Sequence, residues 1–503
     1  MAEKKRKERL KKIRKTAKIK AAKVTFGIEK KQFSEWFSEI ITRAELADIR
    51  YNVKGFIVVM PWAVEVLEKM YDMFENELKK RNHLPCIFPA LIPESNFIKE
   101  AEHIKGFAPN VFWVTRVGES EIAEKLALRP TSETAFYQLY SLWIRSYKDL
   151  PFKRYQRAVV WRYETKATRP FIRSREFYWI ETHNCFSSKE EAEKQIREDI
   201  EVTELIMHQK LGIPFLPLKR PEWDKFAGAL YTIGSDSLMP DGRVIQQPSS
   251  HLLGQGFAKV FDIRFRDKDG SENYVWQTCY GPCISRIFAS LIAIHGDDNG
   301  LILPFSVSPL QVVIVPIYKK ESKKIVLEYC EQILKELLEG GIRAKIDDED
   351  KKPGEKFYFW EMKGVPLRLE IGKQEAKSRQ LTLFLRDTTQ KKKISEKSIV
   401  EKIKEEGFGL DKRIKEKADK EFEKAIVEAK SIDDAKKALE QGKIIRCNFC
   451  SIDSEGERCG EIIEKQLGAS VRGVRADKVE KASGNCMVCG KKAGAVVYIA
   501  RSY

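Results

Sequence analysis

The residues best suited to chemistry lie between positions 159 and 181. Arg162 and Glu164 stand two apart at the end of an apolar run from Val159. Such a run predicts a strand, whose period of two puts the guanidinium and the carboxylate on one face. After a loop over 167–172 come Arg173, Ser174 and Phe177. On the return strand the same alternation carries Phe177, Trp179 and Glu181 along one face. One surface would then offer two guanidiniums, two carboxylates and two aromatic rings. Guanidinium forks bind phosphate oxygens bidentately, a ring stacks on a base, and a carboxylate accepts from an exocyclic amine. The set suits an adenine nucleotide held without a P-loop. For any single pair, an amphipathic hairpin with surface salt bridges is the plainer alternative.

Taken together, the spacing Arg-x-Glu, a loop, then Arg-x-x-x-Phe-x-x-x-Glu resembles motif two of the class II aminoacyl-tRNA synthetases. Its surroundings narrow the resemblance to the prolyl-tRNA synthetases of archaeal and eukaryotic type, over residues 24–503. The resemblance implies an α+β catalytic domain on an antiparallel sheet at 24–304, an α/β anticodon-binding domain at 305–405 and a small C-terminal α/β zinc-binding domain at 406–503. It also implies a reaction: ATP-dependent activation of L-proline to prolyl-adenylate, then transfer to the 3′ end of tRNA(Pro), with Mg²⁺, by a homodimer.

The elements that must position these groups can be followed along the chain. Residues 32–50 and 61–80 read as helices, and 84–92 as a strand bearing prolines. In the family, such a helix and strand form motif one and the dimer interface. Thr131, Ser132 and Glu133 precede an apolar helix, which Ser132 or Thr131 could simply cap. The resemblance instead makes Thr131 and Glu133 the loop that holds the substrate's secondary ammonium. Residues 189–211 read as a charged amphipathic helix. Bacterial relatives often carry a large editing domain between motifs two and three, and its absence here implies no proofreading in cis.

Asp241-Gly242 is a strong hairpin signal. By the resemblance, Gln246 and Ser249 near the following turn contact ATP, whereas His251, Phe226, Trp179 and Glu181 line the proline pocket. Gln247-Pro248 departs from the family's usual Gly-Gly. Motif three spans 277–294 with Thr278, Gly281 and Arg286. An arginine opening a buried helix is costly unless it meets phosphate or carboxylate, and phosphate is the better candidate; the resemblance makes Arg286, with Arg162, a catalytic residue. The implied ATP set is therefore Arg162, Glu164, Arg173, Ser174, Phe177, Gln246, Ser249, Thr278 and Arg286, with Arg162 also reaching proline. Beyond Pro309, strands at 312–316, 343–346, 367–371 and 381–384 alternate with a helix at 320–338. Lys356 and Glu361 are the implied readers of anticodon bases. Residues 391–442 read as charged and helical, with Ser431 and Asp434 placed as a capping box.

Net charge is +17, but residues 1–23 hold twelve Lys or Arg against Glu3 and Glu8. A basic arm of +10 thus precedes a mildly basic body, open either to nucleic-acid contact or to plain solvation. No apolar run is long enough to span a membrane and no export signal precedes the body, so a cytoplasmic protein is expected. Without export, ten cysteines are no disulfide framework. Cys447, Cys450, Cys459, Cys486 and Cys489 cluster late, and Cys486-x-x-Cys489 reads as half of a structural Zn²⁺ site. C-x-x-C spacing alone favours Cys447 and Cys450 as the other half, whereas the family's spacing favours Cys450 and Cys459. Relatives end in a tyrosine that docks toward the active site, as Tyr503 would. Two other functions remain open: a class II synthetase for another small amino acid such as threonine, and a catalytically silent RNA-binding paralogue.

Overall fold

The computed structural model describes residues 27–101 and 110–503; the basic arm lies outside them. Helix α1, Phe33–Arg43, buries Trp36, Phe37 and Ile40. It stops short of the expected residue 50 because Glu45 adopts φ +50° and Ala47–Asp48 pairs with Val58–Val59. Helix α2 runs over Pro61–Lys80 as expected, with proline's fixed φ at its first position. The strand expected over 84–92 is divided. Leu84–Pro85 (β1) pairs with Arg154–Tyr155, whereas Leu91–Pro93 joins a separate small sheet. Pro85 and Pro89 have no N–H to donate, so one continuous ladder cannot form.

The central sheet is built from β2 (Phe152–Trp161), β3 (Glu176–Phe186), β4 (Leu216–Lys219), β5 (Tyr231–Leu238), β6 (Arg243–Gly254) and β7 (Trp276–Gly281), in the antiparallel order 4-5-6-7-3-2. The β5–β6 turn is Asp241-Gly242, with Gly242 at φ +77° as a tight hairpin requires. Helix α3 (Glu133–Trp143) leaves the substrate-loop region, α4 (Lys189–Thr203) packs on β6, and α5 (Ile284–His295) follows β7. The expected helix over 189–211 is regular only to Thr203 and then widens into a π-helical turn over Glu204–Lys210. Apolar residues of α1, α2 and α5 share one core, which fixes the sheet's back face.

The second unit has β8 (Val312–Ile317), β9 (Ala344–Ile346), β10 (Leu367–Gly372), β11 (Gln380–Leu385) and β12 (Lys391–Ser395) in the order 9-8-10-11-12. Helices α6 (Lys323–Glu339) and α7 (Pro353–Met362) pack against β8. Lys391–Ser395, read from sequence as helix, is an edge strand. It buries Ile394 and leaves three lysines outward, which suits an unpaired sheet edge. Helix α8, Ile399–Ala425, then crosses position 405 without a break.

The last unit comprises β13 (Ile426–Glu428), α9 (Ile432–Glu440), β14 (Ile444–Phe449), α10 (Glu457–Leu467), β15 (Ser470–Arg475) and β16 (Ala495–Ser502). Ser431 Oγ accepts from the Asp434 backbone N–H at 3.1 Å, one half of the expected capping box. This unit extends the central sheet to eleven strands, through β15 against β4 and β16 beside β6. Gly473 permits the join: at φ +122°, a Cβ there would lie 2.0 Å from the Lys219 carbonyl oxygen. Tyr503 donates from its hydroxyl to Asp241 Oδ2 at 2.6 Å and from its N–H to Val244 O at 3.2 Å, two residues along β6 from Gln246. Among the described residues no helix is long and apolar enough to cross a membrane.

Candidate active site

The 131–133 loop is pinned from the sheet. Glu181 on β3 accepts the Ser132 backbone N–H at 3.2 Å, the Ser132 hydroxyl, and Gln156 Nε2 at 2.6 Å. Ser132 therefore precedes α3 without capping it. Burial pushes the Glu181 carboxyl up, but hydrogen bonds from His183, Ser132 and Gln156 outweigh it and hold the group below its usual range. The pinned loop presents Glu133, which is buried, takes the Thr131 hydroxyl, and has Cys279 Sγ at 3.8 Å. No described Lys or Arg forms a salt bridge with Glu133 within 4.0 Å. Arg162 attracts this carboxylate without pairing to it, so the carboxylate stays open to a ligand's cation.

Glu133 and Thr131 open into a cavity of about 170 Å³, whose walls include Arg162, Phe177, Trp179, Phe226, His251 and Arg286. Arg162 Nε donates to Pro130 O at 3.0 Å, and its guanidinium carbon lies 5.3 Å and 5.8 Å from the Phe177 and Trp179 ring centres. Arg286 is tethered more weakly, from Nε to Ile172 O at 3.3 Å and from Nη1 to Gln246 O at 3.4 Å. Burial, then the like charge of Arg286, pulls Arg162 below the ordinary arginine pKa. Two guanidiniums with unused donors and mutual repulsion make an anion site. Gly281 keeps the wall open beside Trp179, since a Cβ there would touch the indole at 3.4 Å.

Motif two differs from the two-strand reading. Strand β2 ends at Trp161, and the Glu164 N–H turns back onto Arg162 O at 2.8 Å. Arg162 and Glu164 thus sit in a turn, not on alternate strand positions. Arg173 is in the loop before β3, closed by mutual bonds with Arg169, and stands 4.0 Å from Glu164. Glu164, Arg173 and Ser174 line a narrow cleft beside the cavity and share Arg162, Phe177 and Arg286 with it. A larger cavity of about 730 Å³ lies between the Asp241-Gly242 turn and α8, and none of the expected proline- or ATP-binding residues line it.

Gln246 and Ser249 both reach the cavity although three residues apart, a spacing that regular alternation would split between faces. A β-bulge does this: Gly234 pairs with Ser249 and Asp236 with Gln246, so Gln247 and Pro248 together oppose Ser235. Pro248, which has no N–H, occupies the place where the ladder is already broken. His251 is held by Thr232 Oγ1 at 2.8 Å and Ser249 Oγ at 3.0 Å, with Phe226 at 4.7 Å between ring centres. Burial, with Arg220 adding to it, brings its pKa down to about 3 and leaves a neutral ring. Thr278 is not brought to the cavity. Fully buried on β7, it accepts from Asn184 Nδ2 at 3.3 Å, while its neighbour Cys279 faces the site. His183 and Cys279 were not foreseen; continuing the alternation of Phe177, Trp179 and Glu181 by one step gives His183, 3.2 Å from Glu181 Oε2.

Known proteins match this arrangement. The tRNA synthetase class II core domain (G, H, P, S and T) matches residues 112–295, the anticodon binding domain 311–406, and the C-terminal domain of prolyl-tRNA synthetase 432–503. A proline–tRNA ligase from Thermofilum pendens is 49% identical over 474 residues, 94% of this chain and 97% of the relative. The chain belongs to the prolyl-tRNA synthetase family. A Pyrococcus abyssi proline–tRNA ligase is 43% identical, again over 94% of this chain and 98% of the relative. The structure of the Giardia lamblia prolyl-tRNA synthetase in complex with prolyl-adenylate superposes with a TM-score of 0.91 at 37% identity, covering 94% of this chain and 99% of that one.

Two further sets of this prolyl-tRNA synthetase-family chain lie outside the cavity. Sγ atoms of Cys450, Cys459, Cys486 and Cys489 all fall within 4.8 Å of one another, so the four could hold a metal ion. Tetrahedral zinc with four thiolates at 2.3 Å spaces its sulfurs by about 3.8 Å, which this cluster accommodates. Cys447 is buried on β14 and outside the group. In the second unit, Lys356 is buried and spends its ammonium on Asp347, at 2.7 Å to O and 3.5 Å to Oδ1. Glu361 Oε1 accepts from Arg368 Nη1 at 2.7 Å and stays partly exposed.

Proposed function

We propose that the chain activates L-proline with ATP and transfers the prolyl group to the 3′ end of tRNA(Pro). The observation that carries this is a single cavity lined by a buried carboxylate without a salt bridge, Glu133, and by two guanidiniums, Arg162 and Arg286, whose like charges repel. Glu133 and Thr131 hold the secondary ammonium, while Trp179, Phe226 and neutral His251 enclose the apolar ring. Glu181 acts through the loop that it pins. Arg162 and Arg286 take the nucleotide phosphates, Phe177 stacks on adenine, and Gln246, Ser249, Glu164, Arg173 and Ser174 complete the ATP side. Mg²⁺ bound with the triphosphate would supply charge neutralisation beside Arg162 and Arg286. The proline carboxylate attacks the α-phosphorus in line, pyrophosphate leaves, and the terminal tRNA hydroxyl then displaces AMP. Rate comes from positioning and electrostatic stabilisation, with no covalent enzyme intermediate.

Residues 24–304, 305–405 and 406–503 serve as catalytic, anticodon-binding and zinc-binding domains, with α8 shared between the last two. Glu361 is the better-exposed anticodon reader; Lys356 must exchange Asp347 for a base edge. Structural Zn²⁺ sits on Cys450, Cys459, Cys486 and Cys489. Exposed Leu84, Ile87 and Leu91 beside motif one support a homodimer. The interval between motifs two and three supports activity without editing, and the protein works in the cytoplasm. Proline-dependent exchange of pyrophosphate into ATP tests the reading. Exchange with proline and not threonine is expected; exchange with threonine points to the other synthetase, and none with any amino acid to the silent paralogue.

A further inference from the structure

Asp236, on β5 behind the cavity, is almost wholly buried and bound by two arginines from different units. Arg220 donates Nη1 to Asp236 Oδ2 at 2.8 Å and Nη2 to Oδ1 at 2.6 Å. From the terminal unit, Arg472 donates Nε to Oδ2 at 2.8 Å and Nη2 to Oδ1 at 3.2 Å. Burial would raise the Asp236 pKa, but the two guanidiniums outweigh it and hold the carboxyl well below the usual range. Arg220 Nη1 also donates to the Arg472 carbonyl at 2.8 Å. Two cations on one anion leave Arg220 with spare donor capacity, and its Nη2 spends it on Gln246 Oε1 at 3.2 Å. A guanidinium can only donate, so it must face the amide oxygen, and the Gln246 NH₂ is what remains for a ligand. The Gln246 backbone carbonyl meanwhile accepts from Arg286 Nη1.

Local backbone makes room for this chain of contacts. Gly234 is required beside Arg220, whose Nη2 would lie 2.3 Å from a Cβ. On β15 the pairing with β16 is irregular between Val471 and Gly473, which flank Arg472. That irregularity, together with Gly473, lets a terminal-unit side chain enter the catalytic hairpin. Asp224 is the other acid near Arg472, at 3.8 Å, and is largely exposed.

We infer that Arg472 is a positioning residue for the adenylation site, acting through Asp236 and Arg220 to fix the Gln246 amide toward the nucleotide. The inference rests on the reading that Gln246 contacts ATP. Anchored by Arg472, the carboxylate keeps Arg220 in one rotamer. Without it, the Asp236–Arg220 pair turns and the Gln246 amide loses its orientation. The terminal unit thereby contributes to adenylate formation, independently of any contact with tRNA.

Pyrophosphate exchange on the full chain, at saturating proline, separates the possibilities. Arg472→Met should raise KM for ATP about tenfold while kcat per titrated active site stays within about twofold. Arg472→Lys keeps the charge, so it guards against loss of folding, and should raise KM for ATP by a smaller factor because a single ammonium replaces the fork. Gln246→Met should raise KM for ATP comparably, and adding Arg472→Met to it should change nothing further. A purely structural role would lower the unfolding midpoint and active-site titre with parental KM, and that result overturns the inference. Additive effects in the double variant overturn it too. If Gln246→Met itself leaves KM for ATP unchanged, the nucleotide reading of Gln246 fails instead.

Discussion

Glu181 and Ser132 meet across 49 residues of chain, the Ser132 backbone N–H donating to Glu181 Oε2 at 3.2 Å. The bond joins motif two's return strand to the loop that carries Glu133. Because Arg162 Nε donates to Pro130 O in the same loop, the Glu133 carboxylate and the Arg162 guanidinium are held relative to one another, the arrangement that the proposed adenylation would use.

Glu133→Gln keeps the side-chain shape and removes the charge. If a charge-assisted bond to the substrate ammonium is lost, proline binding weakens by roughly 1.5 to 3 kcal/mol, with ATP affinity almost unchanged. Calorimetric titration with each ligand checks this; parental proline affinity would exclude Glu133 as the ammonium partner.

Metal content distinguishes the five late cysteines. Cys459→Ser and Cys486→Ser should lose Zn²⁺, and Cys447→Ser should keep it, because Cys447 lies outside the four-sulfur group. Elemental analysis of purified variants decides: zinc retained in Cys459→Ser and lost in Cys447→Ser rejects this ligand set. Chelation should loosen the terminal unit first.

Asp199 on α4 is buried, with one oxygen accepting from Gln195 Nε2 at 2.8 Å and the Ser250 hydroxyl also near the carboxyl. Burial pushes its pKa up to about 7, outweighing the hydrogen bonds from Gln195 and Ser250. The unfolded carboxyl titrates near 3.9. Between these values the folded state keeps a proton that the unfolded state releases, so this residue's effect is absent below about pH 4 and destabilising as pH rises through 7. Asp199→Asn should raise unfolding free energy at pH 8 by roughly 2 to 4 kcal/mol and leave it nearly unchanged at about pH 3. Equal gains at both pH values in urea unfolding would contradict the assignment.

Ile87 is 92% exposed between Leu84 and Leu91. Placing a charge there with Ile87→Asp should move a homodimer toward monomer at micromolar concentration, as read by sedimentation velocity. A parental protein that sediments as a monomer would remove the dimer proposal.

Deleting residues 1–23 takes away a charge of +10. tRNA binding should lose salt dependence, because lysine contacts to phosphate release counterions, while pyrophosphate exchange is retained. An unchanged salt slope would assign the arm to solvation alone.

Sequence alone determined the types of group at the site and the order of the elements. Residue types alone point to a nucleotide site around Arg162, Phe177 and Trp179, and Pro61 and Asp241-Gly242 mark a helix start and a hairpin because their local backbone preferences need no distant partner. Tertiary structure decided what depends on pairing across the sheet. The bulge opposite Ser235 brings Gln246 and Ser249 to one face, and β7 turns Thr278 away from the cavity while exposing Cys279 to it. Lys391–Ser395 is a strand rather than a helix because β11 supplies its ladder partner. Above all, the terminal unit's continuity with the catalytic sheet rests on the approach of Gly473 to Lys219 and on Asp236 shared by Arg220 and Arg472. Such contacts join residues some 250 positions apart, and local pattern carries no information about which distant donor will satisfy a buried carboxylate.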